Sequence, residues 1–107
     1  AVGAKEFEMM KNSAILLNVA RGEVVDENAL DAALKAEELR YAVLDVQSQE
    51  PPKEDYPLYK NEKVILTPHM ASNTEECMGR MAFHAAMQIH KVLSGGQPDW
   101  PVNHPKF

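Results

Sequence analysis

Three side chains in this sequence are of the types needed for acid/base work on a small organic acid. They are Arg21, Glu50 and His69, and each follows closely on a run of apolar residues. A guanidinium presents a planar fork of donors that matches a carboxylate, and it keeps its charge at any working pH. An imidazole gives or takes a proton near neutrality. A carboxylate beside that imidazole favours the protonated ring and fixes its tautomer. Together the three suit binding a 2-keto acid and protonating its carbonyl. They stand far apart along the chain, so only the fold can join them.

The elements that must position them can be read in order. Residues 5–11 have helical composition, and Asn12-Ser13 is a stop. The apolar run 14–19 predicts a strand covered on both faces, as in a parallel sheet. Ala20-Arg21-Gly22-Glu23 breaks that run. Asp26 is placed to cap the next helix, with Val25 and Leu30 at staple positions and Ala29, Leu30, Ala33 and Leu34 as the inner stripe; the helix should end near Glu37 or Glu38. A second buried strand follows at 41–46, and strand, helix, strand in about 30 residues marks a parallel unit with a right-handed crossover.

The polar loop 47–61 carries Pro51, Pro52 and Pro57, which exclude a central strand, and a loop of this length within a compact domain is usually functional or mobile. Residues 64–67 predict a third strand, stopped by Pro68. Ser72 with Glu75 reads as a capping box opening a long helix to about Ser94, closed by Gly95-Gly96. Cys77, Met78, Met81, Ala82, Ala85, Ile89, Val92 and Leu93 form its inner stripe at helical spacing. The tail 97–107, with Pro98, Pro101 and Pro105, predicts an extended arm. Ligands of open parallel sheets bind outside the carboxyl ends of the strands, which is where Arg21, Glu50 and His69 fall.

Composition narrows the function classes. The chain has 107 residues, 45% hydrophobic and 25% charged, which allows one compact domain at most. A net charge of -5 without a Lys/Arg cluster leaves no footprint for a phosphate backbone, so nucleic acid is excluded as a partner. No apolar run approaches the roughly 20 residues that span a bilayer, and no basic segment followed by an apolar stretch opens the chain. We therefore expect a soluble chain with no membrane partner and no secretory leader. The single Cys77 cannot form an internal disulfide, which fits a reducing cytoplasm, and it is expected to be inert. The four histidines have no second thiol near them, and His84 and His90 fall on different helix faces, so no metal site is expected and both read as surface residues.

Certain stretches carry a resemblance. Leu17-Asn18-Val19-Ala20-Arg21-Gly22-Glu23-Val24-Val25-Asp26-Glu27, then Leu44-Asp45-Val46 with Glu50-Pro51, then Thr67-Pro68-His69-Met70-Ala71-Ser72 with Thr74 and Glu76, run in the order and spacing of one family. From about Ala4 to Leu93 the chain resembles the carboxyl-terminal half of the D-2-hydroxy acid dehydrogenases, which include phosphoglycerate dehydrogenase and the glyoxylate/hydroxypyruvate reductases. The resemblance implies an α/β fold, the second half of a Rossmann-type doubly wound parallel sheet with a long carboxyl-terminal helix. Residues 1–72 would be part of an NAD(P)-binding domain, and residues 73–107 a return helix and tail directed to a substrate-binding domain. It implies that Arg21 binds substrate, that Glu50 pairs with His69, and that His69 is the acid/base. It further implies that Val19, Ala20, Asp45, Ala71 and Ser72 lie against the cofactor, with Asp45 and the backbone around Val19 near the nicotinamide carboxamide.

The expected cofactor is NAD or NADP, the substrate a small 2-keto or 2-hydroxy acid, and the assembly a homodimer. Formate dehydrogenases resemble a pattern with an amide where this sequence has Glu50, which argues against them. One departure is large. The glycines are Gly3, Gly22, Gly79, Gly95 and Gly96, so the family's GxGxxG turn, which cradles the pyrophosphate, is not among these residues. The residue that chooses NAD or NADP is missing with it. We therefore expect the chain to be part of a longer enzyme, inactive by itself and binding no dinucleotide. Two rival readings are a dinucleotide-sensing corepressor of the same fold and an inert domain remnant whose open half-sheet self-associates.

Overall fold

The structure, a computed structural model, describes residues 1–103. Ala1–Ala71 form one unit, and a second begins at Ser72. In the first unit three short strands, β1 (Ile15–Asn18), β2 (Tyr41–Leu44) and β3 (Val64–Leu66), pair in parallel in the order β1-β2-β3. The register sets Leu16 beside Ala42 and Ala42 beside Val64, and in the next inward row Asn18 beside Leu44 and Leu44 beside Leu66. Helix α1 (Ala4–Glu8) contributes the buried Phe7, and α2 (Glu27–Lys35) contributes Leu30, Ala33 and Leu34. These residues close one core with Leu39, Ala42, Leu44 and Leu58. Each fully buried leucine stabilises by roughly 1.5–3 kcal/mol relative to exposure.

Helix α2 starts where its sequence says it should. The Asp26 carboxylate accepts from the Asn28 and Ala29 backbone N–H groups, and Val25 and Leu30, at the staple positions, are both buried in the core. At its other end Glu37 takes a left-handed φ of 60° while the Glu38 N–H reaches the Ala33 carbonyl and the Glu37 N–H that of Leu34. That is a Schellman ending with glutamate in the place glycine usually holds. The loop 47–61 forms no strand; it contains a 3-10 turn, Pro57–Lys60, that drives Leu58 into the core.

The strands are covered on one face only, which corrects the expectation of burial on both. Leu17, Val43 and Ile65 form a row across the other face, with Leu17 63% and Ile65 58% exposed. The reason is that α1 and α2 supply the first unit's core on a single side of the sheet. A continuous apolar run therefore does not by itself reveal whether the second cover is present.

In the second unit α3 spans Glu75–Leu93. Its cap is Thr74, whose hydroxyl accepts from the Cys77 N–H at 3.1 Å, and not Ser72 as expected. Because the helix begins at Glu75, position N3 is Cys77 and no capping box can form. Glu75 and Glu76 then sit in the first turn, where the helix dipole favours them. Gly95, at φ 82°, and Gly96 close the helix with bonds to Val92 and Lys91, as the sequence predicts. None of the helix is buried: Met78, Met81, Ile89, Val92 and Leu93 are exposed, so the stripe expected to face inward is open in this chain. The described part of the tail is not an extended arm. Asp99 bonds to Gln88 and Lys91, and Trp100 stacks on His84 with ring centroids 5.3 Å apart, which folds the segment back on α3. Pro105 and residues 104–107 lie outside the described residues. Among the described residues no helix is long and apolar enough to cross a membrane, and no group of three His, Cys, Asp or Glu could hold a metal.

Candidate active site

Parallel pairing puts the carboxyl ends of all three strands on one edge, and each end is locked by a side chain. β1 ends on Asn18, buried, whose Oδ1 accepts from the Ala20 N–H and whose Nδ2 donates to the Arg21 carbonyl. This two-sided bond sets the turn that presents Arg21. Gly22 follows because nothing larger fits: a Cβ there would stand 2.0 Å from the Gln47 carbonyl carbon and 2.2 Å from the Ser48 nitrogen. The Arg21 loop and the loop after β2 are thus packed backbone to backbone.

Asp45, one residue past β2, is only 4% exposed. Its Oδ1 accepts from the Thr67 hydroxyl at 2.5 Å and the Met70 N–H at 2.9 Å, and its Oδ2 accepts from the Ala71 N–H at 2.8 Å. Its carbonyl also takes the His69 N–H at 2.9 Å. One residue thereby shapes the whole turn that carries His69. The Thr67 hydroxyl first, then the Met70 N–H, hold the Asp45 carboxyl below its usual range. His69 itself sits at φ 49°, a left-handed conformation that costs a non-glycine residue of order 1 kcal/mol and persists where surrounding bonds fix it.

Glu50 completes the arrangement. Its Oε1 accepts from the Gln47 N–H at 3.0 Å, and its Oε2 lies 2.7 Å from His69 Nδ1. The His69 bond, more than the Gln47 N–H or the charge of Arg21, holds the Glu50 carboxyl below its usual range. With Nδ1–H donated to a carboxylate, Nε2 is the nitrogen left to exchange a proton. Arg21 is exposed, with Nη1 bonded to the Ala20 carbonyl. An open cleft of about 270 Å³ is lined by Arg21, Gly22, Glu23, Gln47, Ser48, Glu50 and His69. The fold therefore joins the guanidinium, carboxylate and imidazole that the sequence kept apart.

The residues expected against a cofactor are placed differently from one another. Val19 and Ala20 are exposed just past β1, and Asp45 is turned into the His69 loop with three of the about four acceptor positions of its carboxylate filled. Ala71 gives its N–H to Asp45, and Ser72 belongs to the second unit. Sequence reasoning missed Asn18, Gly22, Gln47 and Thr67. The signals were a polar residue closing an apolar strand, a glycine directly after the arginine and a hydroxyl directly before Pro68.

The first unit is thus a parallel α/β unit with a carboxylate-paired imidazole and a guanidinium at its strand ends. Residues 1–71 match the family described as D-isomer specific 2-hydroxyacid dehydrogenase, NAD binding domain, and the chain belongs to that family. It is 44% identical over 106 residues to the D-3-phosphoglycerate dehydrogenase of Methanocaldococcus jannaschii, covering 99% of this chain and 20% of that protein. Against glyoxylate/hydroxypyruvate reductase B of Cronobacter sakazakii it is 46% identical over 94 residues, 88% of this chain and 29% of the relative. Among solved structures, a D-isomer specific 2-hydroxyacid dehydrogenase from Xanthobacter autotrophicus Py2, in complex with NADPH and MES, superposes with a TM-score of 0.78 at 34% identity over 94% of this chain and 40% of that one. The chain thus spans well under half the length of these proteins.

Proposed function

We propose that this chain carries the acid/base side of an NAD(P)-dependent oxidoreductase that interconverts a D-2-hydroxy acid and its 2-keto acid. The observation that carries the reading is the 2.7 Å pairing of His69 Nδ1 with Glu50 in a cleft that Arg21 also lines. Family membership, the NADPH in the Xanthobacter structure and the names of the glyoxylate/hydroxypyruvate reductases support it. Residues 73–107 serve in this reading as a return helix and tail toward a substrate-binding domain.

The donor set fits one end of a dinucleotide. Asp45 Oδ2 keeps an acceptor position for an amide N–H, one strand away from the exposed Val19 and Ala20, and Ala71 and Ser72 complete the contact in this reading. The nicotinamide supplies or takes the hydride when bound. The chain's residues do the rest. Arg21 clamps the substrate carboxylate through its fork of donors, and this fixes the carbonyl for attack. In reduction His69, protonated and held by Glu50, delivers its Nε2 proton to the carbonyl oxygen; in oxidation neutral Nε2 takes the hydroxyl proton.

The test is kinetic. His69→Ala in the enzyme should lower kcat about 10²- to 10⁴-fold with little change in dinucleotide affinity. A loss below tenfold removes His69 from the chemistry and favours a dinucleotide-sensing binding protein of the same fold.

A further inference from the structure

The segment that bears Glu50 is held from a place the acid/base reading does not use. Ser48, two residues before Glu50, donates its backbone N–H to Glu27 Oε1 at 2.8 Å and its hydroxyl to Glu27 Oε2 at 2.5 Å. Glu27 is the first residue of α2, next to the Asp26 cap, on a helix that Leu30, Ala33 and Leu34 fasten into the core. On the segment's other side the Gly22 backbone lies so close to Gln47 and Ser48 that no side chain could stand between them. Gln47 in turn gives its N–H to Glu50 Oε1. A continuous line of bonds therefore runs from the core-anchored helix through Glu27, Ser48 and Gln47 to Glu50, and from Glu50 to His69.

We propose that Glu27 is a positioning residue for the Glu50–His69 pair: its carboxylate grips Ser48 at two points and so holds the 47–50 segment against Gly22. The inference rests on the reading of His69 and Glu50 as the acid/base pair. A carboxylate suits the task because both of its oxygens accept, and a backbone and a hydroxyl donor of one residue can be satisfied together. At the amino terminus of α2 its charge also meets the positive end of the helix dipole. The neighbouring Tyr56 hydroxyl is buried and is pushed up in its titration by burial first and by Glu27 second, so it remains neutral beside the carboxylate. Glu27 contacts neither His69 nor Glu50 directly; it acts through Ser48.

The sign of one measurement separates positioning from simple charge. His69, the Gln47 N–H and Arg21 all favour ionised Glu50. Removing the negative charge of Glu27 through space would favour it further and move Glu50 down. Releasing the segment would weaken the His69 and Gln47 bonds and move Glu50 up. We expect carboxyl-¹³C titration of the intact protein to show Glu50 raised in Glu27→Ala, toward its ordinary 4.5. Glu27→Gln, whose amide can still accept from the Ser48 N–H and donate to its hydroxyl, should not raise it. Ser48→Ala leaves the helix start untouched and should give a smaller rise, which keeps the test open should Glu27→Ala fold poorly. In the enzyme, kcat should fall about tenfold in Glu27→Ala with KM for the acid nearly unchanged, because Arg21 is not displaced. Glu50 unmoved or lowered in both Glu27→Ala and Ser48→Ala overturns the positioning role alone. Glu50 at 4.5 in the unsubstituted protein overturns the Glu50–His69 pairing, and the positioning role with it.

Discussion

Glu50 is the residue on which pH bears most directly. Its carboxyl lies below 4.5 because His69 binds it, so the pair favours the folded loop at pH above 4.5, and that contribution disappears as the pH falls through the lowered value. Both side chains are more than a third exposed, so solvent keeps the effect on stability small. The titration itself is the better observable: His69→Ala should return Glu50 toward 4.5, read by carboxyl-¹³C shifts, and an unmoved Glu50 would show that the pair does not persist in solution. Arg21 is tested by its geometry instead of its charge. Arg21→Lys keeps the cation and loses the fork, so kcat/KM for the 2-keto acid should fall about 10- to 100-fold while dinucleotide affinity holds. Equal losses in both would make Arg21 a structural residue.

The elements explain why these three residues meet and why the sequence revealed only part of that. Strand, helix, strand order made a parallel sheet legible, and a parallel sheet puts Arg21, Glu50 and His69 at one edge without further information. Asp26 as the α2 cap was equally legible, since its side chain acts on the next turn and needs no tertiary partner. The start of α3 was misread, because Ser72 and Thr74 both precede glutamates or apolar residues at plausible spacing, and only the backbone decides which one is the cap. What could not be read were bonds between segments distant in the sequence: Asp45 to the Thr67–Ala71 segment, Glu27 to Ser48. Their partners lie 21 or more residues away, at separations that carry no period. Gly22 is the sharpest case, since the reason for it lies in another loop's backbone. Gly22→Ala should destabilise the protein by about 1–3 kcal/mol or more, because its Cβ would have to displace the Gln47–Ser48 peptide. It should also lower kcat by moving Glu50. A fully active, equally stable Gly22→Ala protein, measured by thermal unfolding and steady-state kinetics, would mean the loops part freely.

At the scale of the whole molecule the notable feature is how much apolar surface stays open. The outer row Leu17, Val43 and Ile65, with Ile15 and Val19 near it, leaves one face of the three-stranded sheet facing solvent. On the second unit, Met78, Met81, Ile89, Val92 and Leu93 are exposed along α3. Contiguous apolar area of this kind marks surfaces that pack against protein, and the open backbone edge of β1 offers a further template for pairing. The 107-residue chain alone should therefore associate. Sedimentation should show an average mass above 12.0 kDa that rises with concentration, and Leu17→Lys with Ile65→Lys, both on the open face and away from the core, should shift it back toward the monomer. The same chain should show no saturable NAD binding at micromolar concentration in calorimetric titration, since the turn that would grip a pyrophosphate is not among its residues. A compact, stable monomer that binds NAD tightly would show instead that the open sheet face is a cofactor platform complete in itself.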